Sequence, residues 1–414
     1  MDTLKEFWKN RSQNLVLIFV IIFPISVKVS NVVLEILVID FVISNRIGLW
    51  TRITRRYQRI IILLAPFIFL TISVFYSSGG FKNLEKFLPL LIFPILLTSI
   101  DVKKMESRIL EAFLFSIMGM SVVSMLHALY IFFFLPVDQQ VLVGDFINAV
   151  PSRWNALTNI NLMLPFRINP IYMSLYISFA FYILLFGRWK LSTLKIAGLG
   201  FLILFQFLTG SRIGLFAFFV SLVAVPFHLR SKRLKLYFSL GIASVFLLSA
   251  FMIIVNPVLE KRFIDDMQAF SPPEKIEDWN ALNIRVAIWD CSLTDFKHAP
   301  VWGYGLGDQY VIREGCYKEK YTFYGPYGTS LNSHNQYLEF MLIGGTVLLV
   351  LFLSQLGYSF KTAIDSGHRL QLIFLILFAV TCFGESLLET HKGIVFFALF
   401  NTLFIYTRST EPNV

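Results

Sequence analysis

The stretch "NSHNQYLEFMLIGG", residues 332–345, sets a polar cluster at the mouth of an apolar run. His334 stands among Asn332, Ser333, Asn335 and Gln336. An imidazole ordinarily titrates near neutrality, so it can take a proton from a hydroxyl. A lone histidine is more often structural, but this one closes a long polar loop and opens an apolar block. Asn332 and Ser333 also suit the N-cap of the helix that follows. Arg212 opens another apolar block, "LTGSRIGLF", beside Ser211. Its plain reading is a side chain reaching toward headgroups. Its chemical reading is a guanidinium at a helix N-terminus, where both would attract a phosphate. Arg285 lies in "NIRVAIWDCSL", where Ile284, Val286, Ala287, Ile288 and Trp289 give a short helix an apolar face. The plain alternative there is a solvated arginine. Glu385 and Glu389, in "CFGESLLETHKGIVFF", are spaced i, i+4 and so share one face of a helix. They precede His391 and Lys392, and interface solvation with pairing to Lys392 is the plain alternative.

Two arginines, a histidine and two carboxylates describe a chemistry if one face holds them all. The arginines hold a diphosphate, and the histidine deprotonates an attacking sugar hydroxyl. Diphosphate leaves readily once its charge is neutralised, so neither a covalent intermediate nor a metal is required. The expected site is therefore catalytic His334, Arg212 and Arg285, with Ser211, Asn332, Asn335, Glu385 and Glu389 touching substrate. No cofactor is expected. Cys291, Cys316 and Cys382 form no metal motif. In "WGYGLGDQY", Gly303, Gly305 and Gly307 with Trp302 and Tyr304 read as a tight aromatic turn. A dinucleotide fingerprint would need a further glycine and a strand context, both absent.

The elements that must position these groups are membrane helices. Of 414 residues, 56% are hydrophobic and 15% charged. The apolar residues fall in blocks long enough to cross a bilayer, and backbone in lipid must bond internally, so the expected class is all-α and polytopic. The alternating ten-residue pattern of an outer-membrane barrel is absent. The blocks are 14–29, 31–45, 60–76, 84–100, 110–135, 168–187, 193–209, 211–228, 236–255, 336–357, 370–388 and 393–407, which makes about twelve spans. The first follows Lys5, Lys9 and Arg11 with no small-residue cleavage site, as in a retained signal anchor. Neither internal repeats nor low-complexity tracts occur.

Alternate links are rich in Lys and Arg, and together they carry 21 of the 36 basic residues. The positive-inside bias then puts both termini in the cytoplasm and explains the net charge of +10 without nucleic acid. Two large links face outward, near 135–167 and 256–333. The second is far longer than a helix connection needs, so structure of its own is expected there. The chain divides into N-terminal spans (1–255), this periplasmic loop (256–333) and C-terminal spans (334–414). An oxidising compartment would permit a bridge between Cys291 and Cys316.

"GSRIG" at a span start, an arginine in the long loop, "WGYGLG" and "SHNQYLEFMLIGG" together resemble the O-antigen ligase and O-antigen polymerase superfamily. "ESLLETHKGIVFFALF" is similar to the C-terminal part of members from Bacteroidetes-type bacteria. The motifs cover roughly 209–400, while the N-terminal half is similar only in hydropathy. Asn169, in "INPIYMSLYI", stands where the family usually carries a histidine. The resemblance implies an inner-membrane enzyme with twelve helices, a large periplasmic loop and metal-independent glycosyl transfer from an undecaprenyl-diphosphate-linked glycan. By that resemblance Arg212 and Arg285 bind the donor diphosphate and His334 is the general base. A ligase attacks with a lipid A–core sugar, and a polymerase with a second lipid-linked repeat unit. The compact "SHNQYLEFMLIGG" pattern favours the ligase slightly.

A transporter or flippase for lipid-linked sugar would also suit twelve helices. It would place polar groups near the bilayer midplane, whereas here they gather at the outer ends, Asp40 excepted. A structural assembly protein without catalysis would leave the cluster unexplained.

Overall fold

The computed structural model describes residues 11–44, 57–135, 152–190, 192–228, 231–265, 271–273, 279–321 and 331–408. Much of the basic-cluster pattern, from Lys5 and Lys9 to the run at 46–56, lies outside them. All regular structure among the described residues is helical. The helices of eight residues or more are α1 (Arg11–Ile22), α2 (Val27–Ser44), α3 (Tyr57–Ser73), α4 (Pro89–Leu96), α5 (Val102–Phe134), α6 (Pro170–Phe186) and α7 (Thr193–Leu208). They continue with α8 (Arg212–Ala224), α9 (Lys232–Val255), α10 (Ala281–Phe296), α11 (Gly305–Lys320), α12 (Gln336–Asp365), α13 (Arg369–Thr381) and α14 (His391–Thr407).

The protein is a helical membrane protein. Three helical stretches are long and apolar enough to cross a bilayer: Tyr57–Tyr76, Val102–Phe134 and Gln336–Asp365. A fourth qualifies if the pair Ser239–Val255 and Pro257–Ile264, bent by 100°, is one span. The other apolar blocks hold shorter helices, such as the 13 residues of α8. At 1.5 Å per residue, α8 is only about 20 Å long. The block at 84–100 is interrupted by Pro89 and Pro94 and divides into short turns around α4.

Local chemistry sets where these helices begin. Asn169 caps α6 by accepting from Ile171 N–H (2.9 Å), with Pro170 at the first helical position. Ser192, Ser211 and Thr390 cap α7, α8 and α14. At α10, Asn280 and Asn283 form a reciprocal capping box.

α14 is the centre of the bundle. Every residue from Gly393 to Thr407 on it is buried, as expected of a helix that is apolar all round. Its Phe400 meets Phe113 of α5 and Phe179 of α6 edge-on, at centroid distances of 5.0 and 5.1 Å. Such pairs add about 0.5–1.5 kcal/mol each beyond area burial. Asp40, the polar exception among the apolar blocks, pairs with Arg11 at 2.6 Å, joining the start of α1 to the end of α2.

The long loop has structure of its own. α10 and α11 are joined by the disulfide Cys291–Cys316, with Cα atoms 5.8 Å apart. Trp279, Ala287, Ile288 and Tyr317 pack around it as a small separate core. The aromatic turn then docks into a break in α12. Gly344 and Gly345 leave helical geometry, Gly345 with φ of +61°, and the chain at 300–304 fills the gap. Thr346 N–H donates to Pro300 O (2.8 Å) and Tyr304 N–H to Leu342 O (2.8 Å). A Cβ on Gly345 would lie 2.2 Å from Val301 O, and one on Gly303 2.6 Å from Leu342 O. Only glycine fits such an approach of two backbones. "WGYGLG" and "LIGG" are therefore two halves of one joint.

The bridge makes a simple count. Unfolded without reductant, the chain exposes one thiol, that of Cys382, and after reduction three. Thiol titration in denaturant checks this, and three thiols without reductant would exclude the bridge.

Candidate active site

His334 is held by an unusual amount of its neighbours' backbone. Its φ is +42°, in the left-handed region that non-glycine residues seldom occupy. Asn332 Oδ1 accepts from His334 N–H at 3.0 Å. Ser333 N–H donates to Glu339 Oε2 at 2.7 Å. Asn335 N–H donates to Ser386 Oγ at 3.2 Å, and Gln336 N–H to Cys382 O at 2.8 Å. Leu388 N–H returns the tie by donating to Gln336 Oε1 at 2.6 Å. These bonds zip the turn at 332–336 to the turn at 382–388, and they deliver Glu385 to the imidazole. His334 Nδ1 lies 3.2 Å from Glu385 Oε2. With Nδ1–H donating to that carboxylate, Nε2 is left as the acceptor. The imidazole side chain is 27% exposed and that of Glu385 5%, so the ring is reachable while its orienting group is sheltered.

The arginines arrive from three elements. Arg212 is the first residue of α8, where Ser211 Oγ accepts from Gly214 N–H at 3.2 Å. The next residue, Ile213, packs on Gly384, immediately before Glu385: a Cβ there would lie 2.8 Å from Ile213 Cγ1. Arg262 Nε donates to Gly210 O at 3.3 Å, so it borders the same turn from the long loop. Arg285, half-buried on α10, donates from Nη1 to Ala281 O at 2.8 Å. Desolvation lowers its pKa from the ordinary value; Glu385 opposes that shift, and Arg262 adds to it. Glu385 thus meets His334 directly and shares its field with Arg285. The arrangement can hold a dianion against guanidinium groups next to a base oriented by a carboxylate.

The expected site residues divide on inspection. His334, Glu385 and Arg285 come together, and Arg212 starts the helix whose next residue, Ile213, rests beside Gly384. Ser211 is buried and used as a helix cap. Asn335, rather than Asn332 or Ser333, caps α12: its Oδ1 accepts from Tyr337 and Leu338 N–H, and its Nδ2 donates to Phe383 O. Asn332 shapes the His334 turn. Glu385 and Glu389 do not share a helix face. α13 stops at Thr381, and Glu389 ends a 3-10 turn with a different set of partners. The helix does not continue because the next carbonyls are engaged from the start of α12: Cys382 O accepts from Gln336 N–H and Phe383 O from Asn335 Nδ2. Glu389 pairs with Lys86 and accepts from Tyr310 Oη at 2.5 Å. Lys392, its expected partner, donates instead to Pro24 O.

Four contributors escaped sequence reasoning. Arg262 had only its basic character to mark it. Lys86 and Tyr310 come from the link before α4 and from α11, and nothing in their spacing to Glu389 signals contact. The fourth is Arg313, 1% exposed on α11. It donates to Ser333 Oγ at 2.8 Å and Glu339 Oε2 at 3.0 Å. Burial is the largest influence and disfavours its charge, but the Glu339 carboxylate with Tyr317 and Tyr310 together outweigh it, and its pKa is raised. An arginine this deeply buried requires such a partner, but sequence does not say which.

Among the described residues, no group of three or more His, Cys, Asp or Glu side chains is arranged to hold a metal ion. Residues 197–353 match the family model described as O-antigen ligase. Arg212, Arg262, Arg285, Arg313, His334 and Glu339 fall inside the match, and Glu385 and Glu389 beyond it. No curated protein matches the chain.

Proposed function

We propose that this chain, a member of the O-antigen ligase superfamily over residues 197–353, is an inner-membrane glycosyltransferase that moves a glycan from an undecaprenyl-diphosphate carrier to a sugar hydroxyl of lipid A–core. The observation that carries this reading is the His334–Glu385 pair, set beside the turn that starts with Arg212. The donor diphosphate lies against Arg212 and Arg285, with Arg262 adding positive field. The acceptor O–H gives its proton to His334 Nε2 as its oxygen bonds to the anomeric carbon. The bond from that carbon to the diphosphate breaks, and undecaprenyl diphosphate leaves with the electron pair. Arginine charge stabilises the leaving group, so the step needs no metal. In this reading the chain crosses the membrane twelve times, with 1–255 and 334–414 as span regions and 256–333 in the periplasm. The shorter apolar helices cross as broken or locally thinned spans.

The decisive assay is transfer from purified lipid-diphosphate glycan to acceptor in EDTA. Arg212→Lys lowers transfer by about 10²-fold there, because a point charge cannot copy a planar fork on phosphate. Full activity of that variant, or strict dependence on a divalent cation, removes the arginine mechanism. A ladder of lengthening lipid-linked glycan without added acceptor assigns the chain to polymerase. Donor translocation without transfer assigns it to transport.

A further inference from the structure

A second polar site lies at the other ends of the same helices. His334 and Glu385 sit by the start of α12 and just beyond the end of α13. The second site lies where α13 begins, α14 and α6 end, and α5 starts. It is a cavity of about 740 Å³. Four cationic side chains line it, Lys103, Arg188, Arg369 and Arg408, against two carboxylates, Glu106 and Glu111. Its floor is internally matched. Arg408 pairs with Glu106, and its Nη2 lies 2.6 Å from His368 Nε2. His368 Nδ1 accepts from Gln371 N–H at 3.2 Å. Burial, with Arg408 beside it, lowers the His368 pKa to about 4, so the ring adds no charge at neutral pH. Lys103, Arg188 and Arg369 are exposed at the rim, Arg188 within the field of Glu106. Four cations against two carboxylates leave the cavity with an excess of positive charge.

A narrow apolar cleft adjoins this cavity. Phe186 and Arg369 line both. Ala224, Val225, Leu372, Ile373 and Ile376 line the rest of this crevice, which holds only about 10 Å³ and lies between the end of α8 and the first turns of α13. A basic cavity beside an apolar surface suits the phosphate and acyl chain of a phospholipid, the chain lying against the crevice rather than inside it. The placement also matches. If α5, α6, α13 and α14 cross the bilayer, this end lies at headgroup level on the face opposite His334. Basic pockets between helices at that level suit anionic headgroups.

We infer that this cavity binds one anionic phospholipid, its phosphate held between Arg188 and Arg369 and an acyl chain lying against the apolar surface beside Phe186. The inference rests on the helices spanning the membrane but not on glycosyl transfer. Its failure and that of the proposed reaction are therefore read separately.

The test is native mass spectrometry of the full chain released from detergent containing equal phosphatidylglycerol and phosphatidylcholine. One phosphatidylglycerol stays bound to the wild-type chain, and phosphatidylcholine does not. Each arginine-to-glutamine change lowers phosphatidylglycerol occupancy about fivefold, and Arg188→Gln with Arg369→Gln about 25-fold. Arg188→Lys with Arg369→Lys keeps the lipid, which separates loss of charge from loss of fold. Glu111→Gln, which removes a repelling carboxylate at the rim, increases retention. Equal retention of both lipids overturns the inference, as does an unchanged double glutamine variant or an unchanged Glu111→Gln. Displacement of the lipid by millimolar inorganic phosphate overturns the lipid assignment and leaves a free-anion site.

Discussion

His334→Ala abolishes glycan transfer while the protein remains folded in the membrane. The side chain contributes little to the bonds that hold its turn: it meets Glu385, and the turn is tied through Asn332, Ser333, Asn335 and Gln336. A methyl group in its place therefore leaves the zip between 332–336 and 382–388 intact. It also relieves nothing in the backbone, since alanine at φ of +42° is no easier than histidine. What is lost is the proton acceptor, worth about 10²–10⁴-fold for general-base catalysis. Glu385→Gln is the companion variant. The amide keeps the size of the carboxylate but offers Nδ1 a weaker partner, and it can present N–H instead of oxygen. The imidazole then samples the wrong tautomer, and kcat falls on the order of 10²-fold with little change in donor KM. Glu385 also opposes the positive field at Arg285, so donor binding stays equal or tightens in that variant. Full activity in His334→Ala would end the general-base assignment. A Glu385→Gln variant defective only in KM would move Glu385 from positioning the base to binding substrate.

How much of this was legible in the chain depends on whether the signal was local. The helices were readable because apolar blocks are local, but their exact starts were not: α12 is capped by Asn335 rather than by the expected Asn332 or Ser333. The motifs around Arg212, Arg285 and His334 were readable one by one, although no spacing shows that Ile213 would rest on Gly384. The i, i+4 reading of Glu385 and Glu389 failed for a physical reason. Helical spacing was extended through Gly384-Glu385-Ser386, while tertiary bonds from Asn335 and Gln336 take over that backbone after Thr381. The glycines of "WGYGLG" and "LIGG" each read as a turn or kink alone. Their mutual docking is a contact across about forty residues that periodicity cannot encode. Lys86 with Glu389 is a further case, an ion pair separated by 303 positions.

The pair Arg313–Glu339 gives the other large effect, because it separates stability from positioning. Both side chains are essentially inaccessible, at 1% and 0% exposure. Removing one partner, as in Glu339→Gln, leaves a buried charge uncompensated and costs about 3–5 kcal/mol. Replacing both with apolar groups of similar volume, Arg313→Met with Glu339→Leu, is near neutral for stability by the same physics. The pair does more than neutralise itself, however. Glu339 Oε2 accepts from Ser333 N–H and Arg313 Nη1 donates to Ser333 Oγ, so together they grip the residue before His334. From α10, Trp289 Nε1 donates to Ser333 O and Ser292 Oγ to Ser333 Oγ at 3.5 Å, and only these bonds to Ser333 survive in the double variant. The single variant therefore loses both thermal stability and transfer. The double variant recovers the thermal midpoint to within a few degrees, yet transfer stays down by about 10²-fold, since a loosened turn misplaces the imidazole by the ångström that such chemistry does not tolerate. Thermal denaturation in detergent and the transfer assay, run on the same preparations, read the two quantities. Recovery of both in the double variant would reduce the pair to a stability element and leave the His334 turn to be held by the 382–388 segment alone.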